Sequence, residues 1–290
     1  MNNRHAVLPL LAFVSISVLC NAGELLEDQL EAPVLVRLDT GQEASGFYMS
    51  TASNVYFVTA AHVFFDSTRT NLLASTCTLV SWTSGFHDTE RLILKVDLAT
   101  LLRDNQIKRA STQDVAVAKI GWLDKSGGFG SVTKYVTFTE KPATNAPIHF
   151  IPITMCQLSD EAKVGNEIYI FGYPSSLGME KLPQLQHDRP LLRKGVLAGK
   201  NYSTKTLIVD APVYYGNSGG PVIILNPEGI GGIQYRLIGI VSEFVPFEET
   251  WVNLKHGIKN FQISNSGYAI VSSVDDLSRL ADELARQQSP

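Results

Sequence analysis

The segment Gly216-Asn217-Ser218-Gly219-Gly220-Pro221 sets one serine hydroxyl among three glycines. Such a hydroxyl is a weak nucleophile until a base takes its proton and amide groups hold the oxyanion that forms. Glycines let the backbone fold tightly enough for the Gly216 and Ser218 N–H groups to aim at one point, where each donor contributes roughly 3 kcal/mol to a transition state. The competing reading is a plain glycine-rich turn ahead of an apolar strand. A base stands in Val58-Thr59-Ala60-Ala61-His62-Val63, where an apolar strand ends in two small residues and leaves the His62 imidazole at an edge. His5, His87, His149, His187 and His256 follow no comparable strand and read as surface or satisfied histidines. Asp114 heads the apolar run Val115-Ala116-Val117-Ala118. A carboxylate there is costly to bury alone, so it either caps a turn or holds a charged imidazole. In the order His62, Asp114, Ser218, the three form a base, an orienting acid and a nucleophile for acyl transfer, with no metal and no cofactor required.

Gly216 to Gly220 also fits Gly-x-Ser-x-Gly, the strand-to-helix elbow of α/β-hydrolases. That elbow needs a helix directly after the serine. Pro221-Val222-Ile223-Ile224 favours a strand instead, and only His256 follows to serve as base, so an esterase of that class is set aside.

The elements that must position these residues are strands. Short β-branched or aromatic runs fall at 33–38, 45–49, 55–59, 76–82, 89–96 and 115–120, and again at 167–171, 191–197, 206–210, 221–224, 236–243 and 266–271. Two sets of about six predict an all-β protein of two six-stranded antiparallel barrels. Residues 125–152, rich in Gly and Pro, read as the connection between halves, with a boundary near 145. Val274, Leu277, Leu280, Leu284 and Ala285 recur at helical spacing after Ser273, which predicts a C-terminal helix across the back of the second half. The expected organisation is 1–22, 23–145, 146–273 and 274–290.

Residues 1–22 read as a signal peptide: Arg4, an apolar run from Ala6 to Cys20, and small residues suited to cleavage after Ala22. Lipid attachment at Cys20 is the competing reading, and the bulky Leu19 disfavours it. The run is short for a membrane span, which takes about 20 apolar residues, so no stable insertion is expected once it is removed. Removal takes the formal charge from −4 to −5, because Arg4 is its only charge. Basic residues are scattered rather than striped, which disfavours nucleic acid as a partner. Cys77 and Cys156 remain, and for an exported protein both a disulfide and two buried thiols fit that count. The expected location is secreted or periplasmic; oligomeric state is not legible.

Taken together, Thr-Ala-Ala-His, Asp-Val-Ala-Val and Gly-Asn-Ser-Gly-Gly-Pro resemble the chymotrypsin-fold, trypsin-like serine peptidases, most closely the bacterial Deg/HtrA and glutamyl-endopeptidase kinds. The likeness runs over roughly 32–275 and includes weaker echoes at Val164-Gly165-Asn166-Glu167, Phe171-Gly172-Tyr173-Pro174, Asp210, Ile238-Gly239-Ile240-Val241 and Gly267-Tyr268-Ala269-Ile270. The resemblance implies a serine endopeptidase acting on protein or peptide substrates, with an oxyanion hole from the Gly216 and Ser218 amides. It implies a substrate pocket lined by Pro212, Val213, Tyr214, Tyr215, Val241, Ser242, Glu243 and Phe244. No acid stands at Pro212, where an enzyme cutting after Arg or Lys carries one, and Tyr214, Tyr215 and Phe244 suggest a pocket partly filled by aromatic rings, so a small or medium apolar residue is expected before the scissile bond. Asn217 replaces the aspartate that pairs with a new N-terminus in animal digestive enzymes, which removes the need for activation cleavage. The C-terminal peptide-binding domains of Deg/HtrA enzymes are absent from the match, so their assembly and regulation are not carried over. Because the base must be neutral and free imidazole titrates near about 6.5, activity is expected to fall in acid and level off near neutrality. The alternative reading is a catalytically silent relative that binds protein in the cleft between barrels.

Overall fold

The computed structural model describes residues 29–82, 90–125, 128–141, 148–175, 182–228 and 232–287. The expected signal peptide, with Cys20 and the cleavage point, lies outside them, as do His5, His87 and the boundary at 145. The first unit contains β1 (Pro33–Leu38), β2 (Glu43–Ser50), β3 (Asn54–Thr59), helix α1 (Ala61–Phe64), β4 (Thr76–Trp82), β5 (Arg91–Asp97), helix α2 (Leu98–Arg103), β6 (Ile107–Arg109), β7 (Ala116–Leu123), β8 (Phe129–Ser131), β9 (Val136–Glu140) and β10 (Ile151–Pro152). The second contains β11 (Glu167–Gly172), β12 (Leu191–Asn201), β13 (Thr206–Asp210), β14 (Pro221–Glu228), β15 (Gly232–Asn253) and β16 (Ile258–Ser273), followed by helix α3 (Leu277–Arg286).

Each of the twelve expected runs is occupied by a strand. The second unit closes as a six-stranded ring in the order β11-β12-β13-β16-β15-β14. The first is a ten-stranded sheet in the order β6-β7-β3-β2-β1-β4-β5-β9, with β8 on β7 and β10 running parallel to β2. Of its four extra strands, β8, β9 and β10 come from the segment read as a connection, and β6 from the stretch just before β7. β6, β8 and β10, at three, three and two residues, are too short to show a period in sequence, while β9 alternates as Val136-Thr137-Phe138-Thr139-Glu140 but lies among the glycines and prolines that argued for a loop. Strand pairing to the first sheet persists to Pro152, and Cys156 is the first residue bridged to the second, at Leu237.

Several strands bury both faces, which is why they read as continuous apolar runs rather than alternations. In β3, Val55 and Phe57 face the interior of the first sheet while Tyr56 and Val58 face the seam between units. In β11, Ile168 and Ile170 fill the closed ring while Tyr169 and Phe171 face the same seam. Helix α3 corrects an expectation: it packs against β6 and β7 of the first sheet, not across the back of the second unit. Its buried Leu277, Leu280, Ala281 and Leu284 join the seam cluster with Phe47 and Val117, and Tyr56 Oη donates to Ala281 O at 3.1 Å. Ala285 turns outward, and Asp276 rather than Ser273 occupies the N-cap position.

Of the two readings open for the cysteines, the structure has the separate thiols. Cys77 and Cys156 are both free, because Cys77 lies inside the first sheet while Cys156 packs at the edge of the seam cluster. Among the described residues, no helix is long and apolar enough to cross a membrane.

Candidate active site

Register brings the histidine and the aspartate together. Strands β3 and β7 are antiparallel neighbours, with Thr59 at the end of β3 opposite Ala116 at the start of β7. His62 lies three residues after Thr59 and Asp114 two before Ala116, so both project from the same rim. His62 Nδ1 sits 2.6 Å from Asp114 Oδ2, and the His62 backbone N–H donates to Asp114 Oδ1 at 3.0 Å. An ionised carboxylate only accepts, so Nδ1 carries the ring proton and Nε2 is left as the basic nitrogen.

Asp114 is held from several sides. Ser242 Oγ donates to its Oδ2 at 2.5 Å, and its backbone N–H donates to Ser272 Oγ at 3.1 Å. Next to it, Gln113 Nε2 reaches Ser273 Oγ at 2.8 Å. Burial pushes the Asp114 pKa up, but the His62 ring bond and charge, the Ser242 hydroxyl and the His62 N–H outweigh it and hold the carboxyl below its ordinary value. Asp114 therefore stays ionised beside the imidazole.

Ser218 lies across the cleft on a loop with Gly216 at φ +93° and Gly219 at φ +88°, a region in which only glycine is unstrained. A Cβ on Gly216 would also collide with Tyr173 O, so the glycine is required twice over. Buried Asn217 accepts the Tyr214 N–H through Oδ1 at 3.1 Å. Among the described residues, neither the Gly216 nor the Ser218 N–H donates to a protein acceptor. The Ser218 hydroxyl donates to Ser242 O at 3.4 Å, not to the His62 ring. Rotation about its single side-chain bond is the motion open to it.

One further residue positions this loop and carried no sequence signal: Ser45, fully buried in β2. Its Oγ donates to Gly216 O at 2.7 Å and accepts the Tyr173 N–H at 2.9 Å, while its N–H donates to Ser218 O at 2.9 Å. Thr59 Oγ1 in turn donates to Ser45 O at 2.7 Å. The strand that ends at His62 is thereby tied through Ser45 to the loop that carries Ser218. Only a serine in Glu-Ala-Ser-Gly marks this in the sequence, and its partners lie about 130 to 170 residues away.

His62, Asp114 and Ser218 line one cleft of about 640 Å³ together with Val213, Tyr214, Tyr215, Val241, Ser242, Glu243 and Phe244. Pro212 is the exception among the expected pocket residues. It points to solvent, one position before the chain turns inward at Val213. Arg193 stacks on the Tyr214 ring at 4.6 Å, Tyr215 meets Phe244 edge-on at 5.6 Å, and Glu243 stays solvent-exposed at the rim. A second hollow of about 340 Å³ opens on the other side of Ser218, between Ala44, Leu73 and Gly216. Ser218 therefore borders open space in both hollows. His149, His187 and His256 line neither hollow, and among the described residues no group of three His, Cys, Asp or Glu could hold a metal.

The chain superposes on human heparin binding protein with a TM-score of 0.50, 10% identity, and coverage of 90% of this chain and 94% of that one. It superposes on the thermostable serine protease AL20 from an extremophilic microorganism with a TM-score of 0.50, 12% identity, and coverage of 89% and 97%. It also matches the serine endoprotease from Yersinia pestis at 18% identity and TM-score 0.47, covering 90% of this chain but only 65% of that one. Identities this low speak to fold alone, and these neighbours carry both a protease and a binding name. No curated protein matches the sequence. The family model for the trypsin-like peptidase domain matches residues 44–229, a span that holds His62, Asp114 and Ser218, and the chain belongs to that family.

Proposed function

We propose that this protein is an exported serine endopeptidase in which Ser218 is the nucleophile, His62 the general base and Asp114 the group that orients and charges-balances the imidazole. The observation that carries the reading is the 2.6 Å His62–Asp114 contact in the cleft that Ser218 also lines. Ser218 Oγ attacks the scissile carbonyl as its proton passes to His62 Nε2, and the oxyanion collects the two N–H groups of Gly216 and Ser218. His62 then returns the proton to the leaving amine, and water repeats the cycle on the acyl-enzyme. Val213 and Val241 line the cleft, a lining that suits a small or medium apolar side chain before the scissile bond. The Asn217 amide oxygen accepts the chain's own Tyr214 N–H, in keeping with a loop that needs no new N-terminus to form.

The test is incubation of residues 23–290 with denatured casein and a fluorophosphonate probe, beside Ser218→Ala. Cleavage and labelling that vanish in the variant are expected. The Ser218 hydroxyl's bond to Ser242 O favours a second reading, a silent relative that binds protein in the cleft. Binding of casein with neither cleavage nor labelling would establish that one instead.

A further inference from the structure

Strand β15 does not stop at the cleft. Ile240 is its last residue paired with β14, and Val241 closes that edge by accepting from the Gly219 N–H and donating to Gly220 O. Beyond Val241, among the described residues, β15 pairs only with β16, as far as Asn253 opposite Ile258. The outer part, from Pro246 to Asn253, is a two-stranded ribbon standing roughly 25 Å off the ring. Residues directly opposite in such a pair share a face. Phe247, Trp251 and Ile258 therefore lie on one face, and Val252, Phe261 and Ile263 on the other, each half or more exposed. An isolated two-stranded ribbon is marginal in water, and an open apolar edge is a template for another strand.

We propose that the free edge of β15 is an extended docking track for unfolded polypeptide substrate on the N-terminal side of the scissile bond. The track's inner end is the cleft itself, since Ser242 O lies within reach of Ser218 Oγ and Phe244 and Pro246 line the wall. β15 runs outward from there. A strand added antiparallel, the more stable pairing, runs inward and delivers its C-terminal end to Ser218. Phe247 and Trp251 stand five and nine residues beyond Ser242 and on one face. The substrate class is thus an extended chain with apolar side chains at alternate positions about five to nine residues before the cut. The inference rests on the peptidase reading for the direction of the cut, but not for the binding.

Three peptides sharing one cleavable core test it: the core alone, the core with an alternating Leu/Ser extension on its N-terminal side, and the same extension on its C-terminal side. Each is offered to the 23–290 protein and to Phe247→Ser/Trp251→Ser, whose exposed positions leave the fold intact by circular dichroism. Expected is a KM about tenfold lower for the N-extended peptide with kcat little changed, the advantage disappearing in the double variant while cleavage of the core is unaffected. Equal KM values, an advantage from the C-terminal extension, or an advantage that survives the double variant overturns the proposal. Anisotropy of the labelled peptides on Ser218→Ala reads the track apart from hydrolysis. If no peptide is cut, tighter binding of the N-extended peptide that needs Phe247 and Trp251 upholds the track while refuting the peptidase, and its absence refutes the track. Sedimentation showing ribbon-dependent self-association without that preference assigns the ribbon to a second copy of the chain and overturns the proposal.

Discussion

At the scale of single residues, the site is a chain of hydrogen bonds in which each partner fixes the next. Asp114→Asn keeps the shape of the contact but offers His62 a donor as well as an acceptor, so the imidazole loses its preferred tautomer; kcat should fall by about 10⁴. Single-turnover acylation with an ester substrate measures it. Ser242→Ala removes the 2.5 Å bond to Asp114. The folded pKa of Asp114 is depressed, so its stabilising effect is complete above the unfolded carboxyl value near pH ~4 and is lost as pH falls through the lower folded value. The variant's stability deficit should accordingly be largest at pH 5–7, on the order of the 1.5–3 kcal/mol typical of a bond to a charged group, and narrow in acid, with the Tm difference following it. Thermal melts across that range check the sign. Ser45→Ala strands Gly216 O and the Tyr173 N–H in a buried place, at a cost of about 1–3 kcal/mol each. Fluorophosphonate labelling should slow with it, because the Ser218 loop loses the side-chain anchor at Gly216 and keeps only the backbone bond from the Ser45 N–H to Ser218 O.

At the scale of elements, the antiparallel register of β3 with β7 does for His62 and Asp114 what no local preference could. Both strands read clearly in the sequence, because burial on two faces makes them mostly apolar, with Lys119 the charged exception in β7, yet their adjacency is not written in either one. The terminal helix shows the same division. Its apolar spacing is plain, while the surface it covers is the seam between the units rather than the second unit alone. Leu284 is fully buried there, so Leu284→Ala should lower stability by about 2–5 kcal/mol, read from urea unfolding of the whole chain. The short strands β6, β8 and β10 escaped the sequence reading because two or three residues carry no periodicity, and β9 because the glycine and proline around it argued for a loop. The ribbon of β15 and β16 escaped for a different reason: Glu248, Glu249, Lys255 and Lys259 break its apolar runs, as befits strands with no buried face.

At the scale of the molecule, one seam cluster joins the two sheets and α3, so the halves are held by shared apolar burial and by Ser45 rather than by a cross-link. Burial raises the thiol pKa of both cysteines, that of Cys156 to about 12, which keeps them protonated and unreactive. The Tm of residues 23–290 should be unchanged by a reducing agent, and a thiol reagent should titrate two groups on unfolding while reacting slowly with the native protein. A drop in Tm on reduction would refute the free-thiol assignment.

The sequence by itself determined the twelve principal strands, the helix, and the three residues of the candidate site, because each is marked locally: a glycine-flanked serine, a histidine after an apolar strand and small residues, an aspartate heading a buried run. Tertiary structure alone decided that Pro212 faces solvent, that Cys77 and Cys156 belong to separate packings, that Ser45 braces the serine loop, and that β15 continues past the cleft as an open edge. Those depend on which distant segments meet, and contacts spanning more than a hundred residues leave no trace in the spacing of neighbours along the chain.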